Sequence, residues 1–418
     1  MRILVLSHYF PPEVNAPASR MHEHCRRWVA LGARVTVLTC VPNHPRGIVY
    51  PGYRNRFFQR ERVDGIDVVR LWTFVTANEG FVKRTLSYLS YMLAATLAAP
   101  FLPRADIVLS TSPQFFNGLA GYFVSRLKRA RWILEIRDLW PESILVVGAI
   151  RNRAVIGALR WLERFAYGAA DAIVPVTDAF RRYMESVGVP SSRIEVIKNG
   201  VDLRFFQRQP SGDAVRAELG LEGKIVCSYF GTHGMAHHLE TLLDAADMLR
   251  ERGDIAFLMV GDGAERERLV AARDARGLSN VTMLPQQPKA AMPALWSATD
   301  MSLVLLRKAD LFRMVIPSKI FESMAMQRPI VLGVEGESRD IVEAAQAGVC
   351  CEPQDANALV AAVLELAGDG SRRETLGGNG RRYVAEHYDR DVLARLYLQL
   401  MERVGQREPG ARMASHHE

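Results

Sequence analysis

Short apolar runs separated by amphipathic stretches recur along the whole 418-residue chain. Residues 3–6 read as a strand, residues 17–31 as an amphipathic helix closed by Gly32, and residues 34–39 as a second strand, which together predict one βαβ unit. The loop after the first strand is long and proline-bearing. Further apolar runs at 67–71, 107–110, 132–136 and 172–176 each lead into polar or proline-containing loops. Strands of this kind, alternating with helices, predict a parallel sheet covered on both faces.

The pattern restarts after residues 194–202, where Asn199-Gly200 marks a turn. A strand at 224–230 ends at Gly231, a helix at 239–252 closes at Gly253, and a strand at 255–260 ends in Gly261-Asp262-Gly263. A helix at 264–275 and strands at 281–284, 301–306 and 330–332 follow, and Cys350-Cys351 ends one more strand. The expected architecture is α/β, with two doubly wound, Rossmann-like domains facing a central cleft, the expected ligand site. Their bounds are residues 1–195 and 196–388, with a linker near 190–205. Residues 389–418 form a helix long enough to cross back to the first domain, followed by a flexible tail.

Composition narrows the setting. A hydrophobic fraction of 49% supports real cores, and five cysteines without a C-x-x-C or zinc spacing suit a reducing compartment. The opening Met1-Arg2-Ile3-Leu4-Val5-Leu6 reads as a first strand and not as a leader, hence a cytoplasmic protein. Charge is uneven: residues 1–190 hold 25 Lys and Arg against 14 Asp and Glu, or +11, and the remainder holds 28 against 32, or −4. The basic half favours an anionic partner. Residues 86–103 carry no charge and follow closely on Lys83-Arg84. Three placements fit them: a helix buried or docked at an interface, one resting on a membrane, or a span at the lower limit of length, broken at its end by Pro100 and Pro103.

The candidate chemistry centres on residues 316–330. Pro317 and Ser318 suit a helix start, Pro329 ends the helix, and Lys319 and Glu322 fall three residues apart on one face. A helix N-terminus attracts phosphate through its free amides and dipole, and a lysine there adds charge. Glu322, one turn in, suits the paired hydroxyls of a sugar. The plainer reading is a surface ion pair between the two. A glycine-containing turn at Gly231-Thr232-His233-Gly234 lets backbone amides approach a diphosphate. Arg20, near the start of the first helix, is a phosphate candidate whose plainer reading is a solvated arginine.

The ordered set of Asn199-Gly200-Val201-Asp202, Gly231-Thr232-His233-Gly234, Val260-Gly261-Asp262-Gly263-Ala264-Glu265-Arg266 and the 317–329 segment resembles the retaining glycosyltransferases of family 4, with a GT-B fold. Ser7-His8-Tyr9-Phe10-Pro11-Pro12-Glu13 and Ile136-Arg137-Asp138-Leu139-Trp140-Pro141-Glu142-Ser143 carry a finer likeness to the bacterial surface-polysaccharide branch typified by N-acetyl-fucosaminyltransferases. The resemblance implies transfer from a nucleotide-sugar donor, UDP-linked with an N-acetylated amino or deoxy sugar, without metal or other cofactor. The implied acceptor is a saccharide or a polyprenyl-diphosphate-linked one, reached by peripheral contact with the anionic inner face of the membrane.

The resemblance also implies site residues. Gly231, Thr232, His233, Gly234, Pro317, Ser318, Lys319 and Ile320 surround the donor phosphates, Gly261 and Gly263 lie beside the nucleotide, and Glu322 binds the ribose. Asp138, Lys319 and Glu322 are the catalytic candidates, with Glu142 a second acceptor-side carboxylate and Trp140 a stacking surface. Two departures stand out: Met314 replaces the first glutamate of an E-x7-E pair, and Arg137 replaces the histidine of a His-Asp pair. Where relatives keep an Arg and a Lys after the Gly231-type turn, this chain has His233, His237 and His238, which moves the expected cation to Lys319.

The rivals are a GT-B sugar-nucleotide epimerase and a non-catalytic nucleotide-sugar-binding assembly protein, the latter suggested by the two departures. A dinucleotide oxidoreductase is disfavoured because His8-Tyr9-Phe10-Pro11-Pro12, and no G-x-G-x-x-G, follows the first strand. Nucleic-acid binding has no supporting signature.

Overall fold

The computed structural model describes residues 1–77, 81–112, 114–146, 152–207 and 212–406. The first sheet contains β1 (Arg2–Leu6), β2 (Arg34–Cys40), β3 (Phe58–Val63), β4 (Ile66–Leu71), β5 (Ile107–Thr111), β6 (Arg131–Ile136) and β7 (Ala172–Pro175). Its order is β3-β4-β2-β1-β5-β6-β7, parallel except for β3. Alternation along β1 serves two cores: Leu4 and Leu6 face one layer, Ile3 and Val5 the other. The Leu4 face is covered by α2 (Phe81–Ala98), α3 (Phe115–Lys128) and α5 (Arg153–Ala169), and the Ile3 face by α1 (Ala16–Ala30). The short α4 (Glu142–Val146) and then α6 (Asp178–Ser186) follow β6 and β7. Asn15 caps α1 by accepting the Ala18 amide at 2.9 Å.

The edge strand β3 has no counterpart in the apolar-run reading. Its sequence, Phe-Gln-Arg-Glu-Arg-Val, packs one half-buried side against β4 and leaves the other in water, so it lacks the apolar content of the central strands. The charge-free stretch 86–103 falls mainly on α2, where Tyr91, Ala95 and Ala98 are buried and Leu86, Leu93 and Leu97 are exposed. Among the described residues no helix is long and apolar enough to cross a membrane, which removes the spanning alternative.

The second sheet contains β8 (Ile225–Phe230), β9 (Ile255–Val260), β10 (Val281–Leu284), β11 (Met301–Leu305), β12 (Ile330–Gly333) and β13 (Gly348–Cys350), all parallel in the order β10-β9-β8-β11-β12-β13. The Cys350-Cys351 pair thus lies at the end of a strand. Helix Arg390–Gln406 returns to the first domain, where Leu393, Tyr397 and Leu400 join the α1 core and the Trp28 indole N–H donates to the Ala394 carbonyl at 3.0 Å. The tail beyond residue 406 lies outside the described residues.

Arg20 takes neither of its expected roles. It is fully buried, pairs with Glu135 at 2.9 Å, and donates to the carbonyls of Ile197 and Lys198 and to Asn199. A guanidinium with five donors ties the first sheet to the linker in this way, and no phosphate can reach it.

Candidate active site

The C-terminal ends of the two sheets meet across the cleft. Asp262, after β9, exerts its charge on His44, after β2. Lys289 pairs with Glu23 of α1, and Gln286 donates to the Val14 carbonyl at 2.7 Å. On the far side, Glu337 accepts the Asp178 and Ala179 amides at the start of α6, at 3.2 and 2.9 Å. Lys198 bridges Asp178 and Glu337. Contacts on both flanks leave the cleft as the space between the strand ends.

On the second-domain side, Gly231 follows β8 with φ +141°, and a β-carbon there would lie 3.0 Å from the Lys319 ammonium. Gly261 and Gly263 bring the next loop against this turn. A β-carbon on Gly261 would overlap the Gly231 carbonyl oxygen, and one on Gly263 would clash with the His233 backbone. The His233 amide donates to the Asp262 carbonyl at 2.9 Å, and the Tyr229 hydroxyl donates to the Thr232 carbonyl at 2.8 Å. Gly234 continues the turn, its carbonyl accepting the His237 amide at 2.9 Å. His233 is fully buried with neither ring nitrogen bonded, and burial lowers it to about 4, so it is neutral.

The helix whose first residue reaches this turn runs Lys319–Ala325, after the strand Met301–Leu305, with Ser318 in the capping position and Pro317 one residue earlier. Its first bonded amide is that of Ile320, to the Pro317 carbonyl. The surface ion pair expected as the plainer reading is absent. Lys319 is 8% exposed, its ammonium has no hydrogen-bond partner among the described residues, and it sits 3.5 Å from the Tyr229 ring centroid. Burial lowers it from 10.5 to about 7, opposed by Glu322. Glu322 is raised to about 7 by burial, against the charges of Lys289 and Lys319 and the Trp296 N–H, with Glu23 adding to the rise. The Lys319 amine thus lies beneath a glycine turn without the counter-charge that a buried ammonium ordinarily requires.

Arg266, at the start of the helix after Gly263, adds a second cation near His233 that the motif reading quoted without a role. Met314, in place of the missing glutamate, packs with Val315 against the first-domain core around Leu311. The absent carboxylate is thus replaced by an apolar contact between domains. The Val315 amide bonds the Phe312 carbonyl and is not free for a ligand.

On the first-domain side, Ser112 Oγ accepts the Arg137 and Asp138 amides at 2.6 and 3.3 Å and fixes the turn after β6. Arg137 keeps its Nε and Nη1 buried and unpartnered. Asp138 is raised to about 6 by burial, opposed by the Leu139 amide and by Arg84 and Arg137. It lines a small, partly open pocket with Gln114, Phe115, Trp140, Glu163 and Tyr167. Trp140 is buried and stacks on Phe115 with centroids 6.2 Å apart, so it lines this cavity as a wall. Glu142 instead pairs with Arg160 at 3.0 Å. The chain's Asp-x-Asp triplet, Asp389-Arg390-Asp391, is committed to the linker: Asp391 pairs with Arg27 and Arg204, and Arg390 donates to the Gly200 carbonyl. Among the described residues no three His, Cys, Asp or Glu side chains converge as metal ligands.

A family model described as a glycosyl transferase 4-like domain matches residues 15–200, and one described as glycosyl transferases group 1 matches residues 213–383. The two models, one on each domain, make the chain a glycosyltransferase of the 4-like, group 1 kind. This glycosyltransferase is 27% identical over 376 residues to WcaI of Escherichia coli K12, a protein named for glycosyl transfer in colanic acid biosynthesis, covering 87% of this chain and 92% of that one. Its fold matches sucrose-phosphate synthase of Thermosynechococcus elongatus with a TM-score of 0.77 at 18% identity, covering 96% and 98% of the two chains. It also matches Anabaena HepE in complex with UDP-glucose, with a TM-score of 0.71 at 16% identity, covering 96% and 100%. The fold of the glycosyltransferase is GT-B.

Proposed function

We propose that this enzyme transfers a sugar, with retention at the anomeric carbon, from a UDP-linked N-acetylated amino or deoxy sugar to a saccharide or polyprenyl-diphosphate-linked acceptor in surface-polysaccharide assembly of the lipopolysaccharide O-antigen or capsule type. The observation that carries this reading is the buried, unpartnered Lys319 ammonium under the Gly231 turn. The name of WcaI and the UDP-glucose held by HepE support the polysaccharide setting and the donor class.

In this reading the donor diphosphate lies between the Gly231–Gly234 amides and the Ser318–Lys319 helix start, and Glu322 accepts hydrogen bonds from the ribose. Lys319 and the amides stabilise charge that grows on the departing β-phosphate as the bond from C1 to its oxygen breaks. The acceptor oxygen attacks C1 from the same face, and its proton passes to that phosphate oxygen. No covalent nucleophile is required, so the paired carboxylates of retaining hydrolases have no counterpart. Asp138 orients the acceptor hydroxyl. The positive charges present make metal unnecessary. Closure of the two domains excludes water and limits donor hydrolysis.

The enzyme works at the cytoplasmic face of the membrane as a peripheral protein. Val82, Leu86, Leu93 and Leu97 of α2, Phe101 beyond it and Trp161 of α5 expose apolar side chains on the domain that carries the basic surplus, which supports contact with anionic lipid. The transfer reading is tested by steady-state assays of folded Glu322→Ala and Lys319→Ala variants. Weakened donor binding in the first and depressed turnover in the second are expected, and near-native activity in both overturns it.

A further inference from the structure

Arg137 follows directly on β6, at the strand ends that border the cleft. The Ser112 hydroxyl oxygen accepts its amide at 2.6 Å and holds the start of the turn. Its guanidinium lies toward α1 and the crossover helix, since Arg137 adds its charge to those of Arg20, Arg27 and Arg390 on the fully buried His24 ring. Arg390 in turn pairs with Glu23 at 3.3 Å, and Glu23 pairs with Lys289 of the second domain. The charges of Glu23 and Lys289 both reach Glu322. A run of charged side chains thus leads from Arg137, across the domain boundary, to the ribose candidate.

Within this run the neighbouring arginines are answered and Arg137 is not. Glu135 has both oxygens committed: Oε2 accepts Arg20 at 2.9 and 3.1 Å, and Oε1 accepts the Thr111 hydroxyl at 2.8 Å. Arg27 pairs with Asp202 and Asp391, and Arg390 with Glu23. Arg137 keeps Nε and Nη1 buried without a hydrogen-bond partner and makes no ion pair among the described residues. Burial lowers it from 12.5 to about 9, opposed by Glu135 and Asp138 and aided by Arg20 and Arg390, so it stays charged at neutral pH. A buried cation without a counter-charge is costly, and an anionic ligand relieves that cost.

We propose that Arg137 is a donor-binding residue, supplied by the first domain, that pairs with an oxyanion of the nucleotide sugar, either its β-phosphate or a carboxylate on its sugar ring. The planar guanidinium fork matches both groups, whereas a neutral histidine in its place would offer one donor and no charge. The donor is favoured over the acceptor because the charged run from Arg137 ends at Glu322, while Asp138 lines the separate pocket with Trp140 and Tyr167. Arg137 and the Gly231 turn belong to different domains, so one donor held by both couples its binding to closure of the cleft. The inference rests on the donor site of the proposed function.

The test is isothermal titration of the full chain with UDP, UDP-N-acetylglucosamine and UDP-glucuronate, for wild type, Arg137→Gln, Arg137→Lys and Lys319→Met, with the Tm of each. Loss of the charge-assisted contact in Arg137→Gln is expected to weaken binding about 10- to 100-fold, with Arg137→Lys recovering part of it and Tm unchanged or higher. Weakening of all three ligands assigns the contact to the β-phosphate, and weakening of UDP-glucuronate alone assigns it to the carboxylate. Unchanged affinity of Arg137→Gln for all three overturns the inference. A lower Tm with unchanged affinity per folded molecule does the same, as the mark of an arginine that only holds the fold. Lys319→Met separates the inference from the reading beneath it: UDP binding lost there and kept in Arg137→Gln sinks the inference alone, and a wild type that binds none of the three sinks both.

Discussion

Replacing Lys319 by Met should move stability and activity in opposite directions. The ammonium is buried without a hydrogen-bond partner and titrates near 7 where a free lysine titrates at 10.5. At pH 7 that displacement corresponds to an upper limit of roughly 4 kcal/mol of folding free energy. The Tyr229 ring 3.5 Å away already contributes to the balance, and relaxation of the substituted site recovers only part of the rest. A gain of about 1–3 kcal/mol is therefore expected, or several degrees in Tm for domains of this size. The sign with pH follows from proton binding. The folded state holds fewer protons than the unfolded chain between 7 and 10.5, so the wild type gains stability as pH rises through that window, and the advantage of the variant narrows. Donor-dependent turnover should fall about 100- to 1000-fold with the lost charge. Differential scanning calorimetry at pH 7 and 9.5, with transfer assays on the same preparations, reads both. A less stable variant, or one that keeps native turnover, refutes the argument.

Other outcomes follow from the same geometry. Glu322→Ala should raise the donor KM about 10- to 100-fold by removing the acceptor of the ribose hydroxyls, with the fold and kcat largely kept; steady-state kinetics in donor concentration check it. Gly261→Ala should abolish soluble folded protein or cost several kcal/mol, since its β-carbon overlaps the Gly231 carbonyl, as denaturant unfolding would show. Arg20→Met should destabilise by about 3–5 kcal/mol by stranding the buried Glu135, with donor affinity per folded molecule unchanged, a split that titration of the refolded fraction resolves. EDTA at millimolar concentration should leave the transfer rate within about twofold of the untreated enzyme, because Lys319 and the amides neutralise the diphosphate.

The central strands were legible because they are short apolar runs bounded by turn residues, and their two-faced burial follows from alternation alone. The edge strand Phe58–Val63 was not, because a half-solvated strand carries charges that mimic a loop. At the site, spacing placed Lys319 and Glu322 on one helix face, but no local rule says that the lysine turns inward beneath Gly231, since that contact joins residues nearly 90 apart in the chain. Arg20 shows the same limit: a lone arginine near a helix start reads as solvated until the linker closes over it. For Gly261 and Gly263 the sequence shows only glycines after a strand; that they seat their loop against the Gly231–His233 backbone is a contact between two loops that no local pattern encodes.

The central claim is that a nucleoside diphosphate departs from a site built by Gly231 and Lys319. Its most direct measurement is acceptor-dependent release of nucleoside diphosphate from a panel of UDP-, GDP- and dTDP-sugars, with ¹H NMR of the product's anomeric coupling and Lys319→Met in parallel. Release from one donor class, a product that keeps the donor's anomeric configuration, and loss of both in the variant are the expected results. Release undiminished in Lys319→Met, or an inverted anomer, would contradict the account.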